Sequence, residues 1–97
     1  MKYLKLFESF ESINEICKEY NIINYTINPD GSIDVNENVD LSDYNLTKLP
    51  LKFNKVNGFF DCGGNELTSL EGSPKEVNGS FYCFNNHYFY ILFYIFI

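Results

Sequence analysis

The chain has 97 residues, a net charge of -6 and hydrophobic residues at 45%, enough for one small domain that buries a smaller share of its surface than a larger protein does. Nucleic acid is excluded as the default partner: phosphate binding needs a clustered positive footprint, and Lys48, Lys52, Lys55 and Lys75 are spread among acids. Arg and Ala are absent while Phe, Tyr, Ile, Asn and Lys abound, the usage expected of AT-rich coding DNA.

Residues 1–23 read as an N-terminal helical cap. Leu4, Phe7, Ile13, Ile16, Cys17 and Tyr20 recur at threes and fours, along one side of a helix, with Glu8, Asn14, Glu15, Lys18 and Glu19 turned to water. Ser12 followed by Glu15 matches a capping box, which predicts a short first segment ending near Glu11 and a firmer helix from about Ile13 to Tyr20. Asn21 is expected to end it in a left-handed conformation. Lys5 and Glu8 interrupt the N-terminal apolar run, so no signal peptide is read and a cytoplasmic location, or the host cytoplasm for a viral protein, is the expectation.

Residues 24–38 predict a β-hairpin, because Tyr25-Thr26-Ile27 and Ile33-Asp34-Val35 alternate across Asn28-Pro29-Asp30-Gly31, where proline presets one dihedral and glycine supplies a positive φ. Asp30, Asp34, Glu37 and Asp40 lack the glycine and glutamate placement of a calcium loop and read as turn and surface residues.

From Val39 the chain repeats itself at an offset of 21 residues. Val39-Asp40-Leu41 lies over Phe60-Asp61-Cys62 and Phe81-Tyr82-Cys83; Leu46, Thr47 and Leu49 lie over Leu67, Thr68 and Leu70; Val56-Asn57-Gly58 lies over Val77-Asn78-Gly79. Residues two apart on a strand share a face, so Phe60 and Cys62 are expected inside and Asp61 outside. A coil this thin cannot bury its own apolar face, and Phe60, Cys62, Leu67, Leu70 and Val77 are expected to form a core by stacking unit on unit. Three neighbouring parallel strands should result, at Val39–Leu41, Phe60–Cys62 and Phe81–Cys83. Asn65, repeated by Asn86 and replaced by Tyr44, falls where the chain leaves the strand, and its amide can bond backbone groups that have lost their ladder partners. Gly58 and Gly79 are expected to turn the chain with a positive φ. Pro50 and Pro74 predict an extended or turn-like return path, poor in helix.

The spacing of Phe60, Cys62, Asn65, Leu67 and Leu70 resembles the short leucine-rich repeats, about twenty to twenty-two residues long, of bacterial effector proteins, and small repeat proteins of AT-rich bacteria and tailed phages look similar. The resemblance spans Val39 to Asn86, within coils assigned to residues 39–86. It implies a curved parallel sheet used for protein recognition and transfers no catalytic residue. The departures are the two full units and Tyr44 in the asparagine slot. The expected fold class is α+β, with the helix and hairpin capping a short leucine-rich-repeat-like parallel β-solenoid.

At residues 87–97 the pattern fails: the chain after His87 reads YFYILFYIFI, too short to span a bilayer as a helix and aggregation-prone if exposed. Three readings compete: loss of the reading frame or truncation, a last strand packed over the open end of the stack, and a membrane-surface anchor. Cys17, Cys62 and Cys83 have no C-x-x-C spacing and His87 is the single histidine, so neither a metal nor any cofactor is expected, and Cys62 and Cys83 read as small buried residues rather than a disulfide. No nucleophile–base pair or phosphate loop is present. The expectation is a non-enzymatic protein-interaction module with an unidentified protein partner, whose exposed sheet face carries Asp40, Ser42, Phe59, Asp61, Tyr82 and Phe84. The alternatives are a truncated or frameshifted remnant of a longer repeat protein, and membrane-surface association through the tail.

Overall fold

A computed structural model describes residues 2–86, with side chains from residue 10 onward; the readings made of the apolar tail at 87–97 lie outside the described residues. The described residues fold as α+β: one helix, α1 (Lys2–Glu19), and seven short strands, β1 (Tyr25–Ile27), β2 (Ile33–Val35), β3 (Val39–Asp40), β4 (Phe53–Val56), β5 (Phe60–Asp61), β6 (Glu76–Val77) and β7 (Phe81–Tyr82). They form two small sheets, ordered β1-β2-β4-β6 and β3-β5-β7, in which every pairing except β1 with β2 is parallel.

The helix is continuous, and the expected break near Glu11 is absent. No Pro or Gly interrupts Lys2 to Glu19, so Ser12 sits in a helix interior and its capping match is not used. Asn21 does take the left-handed conformation, at φ 58°, just past the helix end. Cys17 is buried, and Ile13, Ile16 and Tyr20 pack against the same core, while Asn14, Glu15, Lys18 and Glu19 are exposed. Glu37 then fixes the path into β1 by accepting hydrogen bonds from the amides of Ile23 and Asn24 at 2.7 and 2.8 Å.

The hairpin forms as predicted, with Tyr25 opposite Val35 and Ile27 opposite Ile33 and Gly31 at φ 87°, but it is not a separate element. Its second strand continues into the larger sheet: Val35 pairs with Val56, and Val56 with Val77. The return path, expected to be merely extended, therefore contributes strands β4 and β6. The signal is Val35-Asn36, Val56-Asn57 and Val77-Asn78, which extends the 21-residue repeat back into the hairpin. Side chains reinforce this register: Asn57 donates to Asn36 Oδ1 at 2.6 Å, and Asn78 donates to Asn57. A row of amides, each able to donate and accept, ties equivalent positions together along the stacking direction.

In the smaller sheet Val39 pairs with Phe60 and Phe60 with Phe81, the offset of 21 residues expected from the sequence. Regular strand ends one residue early, yet the amides of Leu41 and Cys62 still donate to Asp61 and Tyr82 of the next strand. The two sheets meet over a core in which the rings of Phe53 and Phe60 touch edge to face at 5.0 Å, and Phe60 stacks on Phe81 at 5.4 Å. Phe60, Cys62, Leu67 and Leu70 are buried as predicted. Val77 is only half-buried, because β6 is the last strand of its sheet among the described residues. Burial first, and then the neighbouring Cys83 and Asp61, push the Cys62 thiol up to about 12; all three cysteines are free thiols.

Gly79 does not serve as predicted. It is absent from the positive-φ residues, and its role is close approach: an added Cβ would lie 2.8 Å from the carbonyl carbon and oxygen of Gly58, to which Gly79 donates a hydrogen bond at 2.9 Å. Positive φ recurs elsewhere, at Asp43, Gly64 and Asn85, at 57°, 66° and 58°. These residue types tolerate that conformation best, and their common spacing marks one turn used three times.

The hairpin turn carries a pH dependence. The Ser32 hydroxyl and amide, and then Lys52 at 3.3 Å, hold the Asp30 carboxyl well below the usual carboxylate range; Asn54 and then Asn28 hold Asp34 down. A depressed folded-state pKa gives stabilisation that is present above the unfolded value, near 3.8 for both, and is lost as pH falls through the folded value. Urea midpoints measured between about pH 5 and pH 2 should therefore fall with acidification, and Asp34→Asn should make that fall shallower. An unchanged slope would detach Asp34 from acid stability.

Candidate interaction face

The smaller sheet places the predicted surface residues in rows. Asp40, Asp61 and Tyr82 are register partners across β3, β5 and β7, one strand spacing of about 4.8 Å apart. Ser42, Gly63 and Phe84 follow two residues later in each unit, and Phe59 precedes β5. Alternation explains the facing: Phe60 and Cys62 go fully inside, leaving Asp61 between them on the outer side.

The exposure of the six residues is uneven. Asp40 is exposed, Ser42, Phe59 and Asp61 are half-buried, and Tyr82 and Phe84 are 40% and 65% exposed. The three aromatics form a continuous run, with the ring of Tyr82 6.4 Å from that of Phe59 and 6.4 Å from that of Phe84. Ser42, Asp61, Tyr82 and Phe84 line a shallow depression together with Asp43, Gly64 and Asn85. Sequence reasoning left out those last three, although their shared left-handed turn is what shapes the rim. A second depression, lined by Tyr20, Ile22, Asn38 and Tyr44, meets the first strand beside Asp40 and Ser42.

Asp40 and Asp61 are neighbours but do not act as a pair. Each carboxylate turns back on its own chain: Asp40 Oδ1 accepts from the Ser42 amide at 3.0 Å and hydroxyl at 2.6 Å, and Asp61 Oδ1 accepts from the Gly63 amide at 2.9 Å. These are turn-closing bonds, repeated in successive units. Each Oδ2 accepts no hydrogen bond among the described residues.

Beneath the face, Asn65 holds the turn in the way its position predicts. It is 6% exposed. Its Oδ1 accepts from the amides of Tyr44 and Leu46, both at 3.0 Å, and its Nδ2 donates to the carbonyls of Leu41, Cys62 and Gly63 at 2.8, 3.0 and 3.2 Å. Asn86 repeats this one unit later, accepting from Leu67 at 2.9 Å and donating to Cys62 and Cys83. Tyr44 occupies the equivalent slot in the first unit, which borders the helix, and its ring meets Tyr20 edge to face at 5.0 Å. The departure from asparagine thus follows from a different neighbour.

Among the described residues no group of histidine, cysteine and acidic side chains could hold a metal ion, and no helix is long and apolar enough to cross a membrane. Comparison of the chain with protein-family models, curated proteins and solved structures finds no match.

Proposed function

We propose that the protein is a non-catalytic interaction module, a short parallel β-solenoid of the leucine-rich-repeat type that docks a protein partner on the outer side of β3, β5 and β7. The observation that carries this reading is the aromatic run Phe59–Tyr82–Phe84, in which Tyr82 and Phe84 stand exposed beside a half-buried Phe59 on strands held in register. Exposed aromatics in a contiguous patch are the usual anchors of an interface, since each supplies large contact area at small conformational cost. The in-register stack supports such a patch, because Tyr82 stands on the paired strand β7 and Asn86 bonds the carbonyls of Cys83 and Phe84 in the turn that follows.

The test is a pull-down that compares the native chain with a Tyr82→Ser, Phe84→Ser double variant. Both side chains are outside the core, so the variant should fold with an unchanged circular dichroism spectrum while losing partners that the native chain retains. Recovery of the same partners by both proteins, or of none by either, would remove this face as the binding site.

A further inference from the structure

The chemistry of the face narrows the class of partner. Residues 38–46, 59–66 and 80–86, which form and flank the three strands, carry Asp40, Asp43, Asp61 and Glu66 and no lysine. The lysines lie elsewhere: Lys55 is on β4 in the other sheet, Lys52 pairs with Asp30 at 3.3 Å, and Lys48 and Lys52 line a groove on the return path. The acids and the aromatics are also in register, because the row Asp40, Asp61, Tyr82 puts a carboxylate one strand spacing from an exposed ring. Each carboxylate uses Oδ1 in its own turn, and Oδ2 accepts no hydrogen bond among the described residues.

Deepening the docking reading above, and resting on it, we propose that this face takes a basic peptide segment, with an arginine side chain lying on Tyr82 and paired to Asp61. A guanidinium is planar, stacks on an aromatic face and forks onto a carboxylate, so one side chain uses both features of the row. The alternatives meet a cost. A purely apolar partner would cover Asp40 and Asp61 without satisfying their charge, and an acidic one would place like charges together. Phe59 and Phe84, on either side of Tyr82, then pack against the aliphatic stems of the basic side chains.

Fluorescence anisotropy with labelled short peptides tests this directly. The probes are a peptide of alternating glycine and arginine, its citrulline counterpart, which has the same shape without the charge, and its glutamate counterpart. The arginine peptide should bind saturably, more weakly as salt rises, and at least about tenfold more tightly than the citrulline peptide. Asp40→Asn with Asp61→Asn should abolish that preference, since asparagine keeps the turn-closing acceptor and removes only the charge. Glu71→Gln with Glu76→Gln makes the same change in net charge at exposed positions away from the face and should leave affinity as it was. The proposal is overturned if the arginine peptide does not bind, binds no better than the citrulline peptide, or is weakened as much by the Glu71 and Glu76 substitutions as by those at Asp40 and Asp61. The docking reading fails separately, when Tyr82→Ser with Phe84→Ser changes the binding of none of the peptides and leaves the pull-down partners unchanged.

Discussion

Leu67→Ala should lower the unfolding free energy by about 2–5 kcal/mol, because the side chain is fully buried between successive units and its removal leaves a cavity that rigid strands cannot close. The same range is expected at Leu70, which is 1% exposed. Both leucines belong to the segment between β5 and β6, which forms no strand ladder. Asp61→Ala offers the contrast: it removes one turn-closing bond to Gly63 from a half-exposed position and should cost about 1 kcal/mol or less. Urea denaturation of the three variants gives the ranking, and an Asp61→Ala effect larger than either leucine truncation would reverse the assignment of inside and outside.

Asn65→Ala should be at least as damaging as Leu67→Ala. The substitution leaves the carbonyl of Leu41 unpaired at a buried bond, at about 1–3 kcal/mol, and removes the acceptor of the part-buried amides of Tyr44 and Leu46 as well. Asn65→Asp should not rescue it. A carboxylate keeps the acceptor but has no donor, and it would face the carbonyls of Leu41, Cys62 and Gly63 with a negative charge. Asn86→Ala, in the half-buried equivalent position, should cost less, since water can reach the groups it releases. Thermal melts of the three variants give the order, and an Asn86→Ala loss exceeding that of Asn65→Ala would show that the buried amide network does not hold the turn.

Taken together, these two sites divide the energetics of the fold into separate terms. Leucines on the return path supply apolar area, which is additive along the stack, while the asparagines supply bonds that only one geometry satisfies. The face that we propose as a binding surface depends on the second term more than the first: Asn65 donates to the carbonyls of Cys62 and Gly63, and Asn86 to those of Cys83 and Phe84. Phe84 projects from a turn whose backbone Asn86 bonds, and Tyr82 from the adjoining strand β7.

What the sequence determined by itself is the offset of 21 residues and the job of each recurring position. Val39, Phe60 and Phe81 pair as the alignment requires, Phe60 and Cys62 go inside, Asn65 bonds the turn, and Asn21 ends the helix, because each follows from local chemistry repeated along the chain. Only the tertiary structure decided the second sheet. Asn54-Lys55 and Glu76 give little local preference for a strand; β4 becomes one because β2 offers it a ladder, and β6 because β4 does, backed by the amides of Asn36, Asn57 and Asn78. Tertiary contact also decided the part played by Gly79, whose lack of a side chain serves the approach of Gly58 rather than a turn, and the surroundings of Tyr44, whose ring meets Tyr20 just past the end of the helix. Distances between units are set by stacking, and no single unit's sequence contains its neighbour.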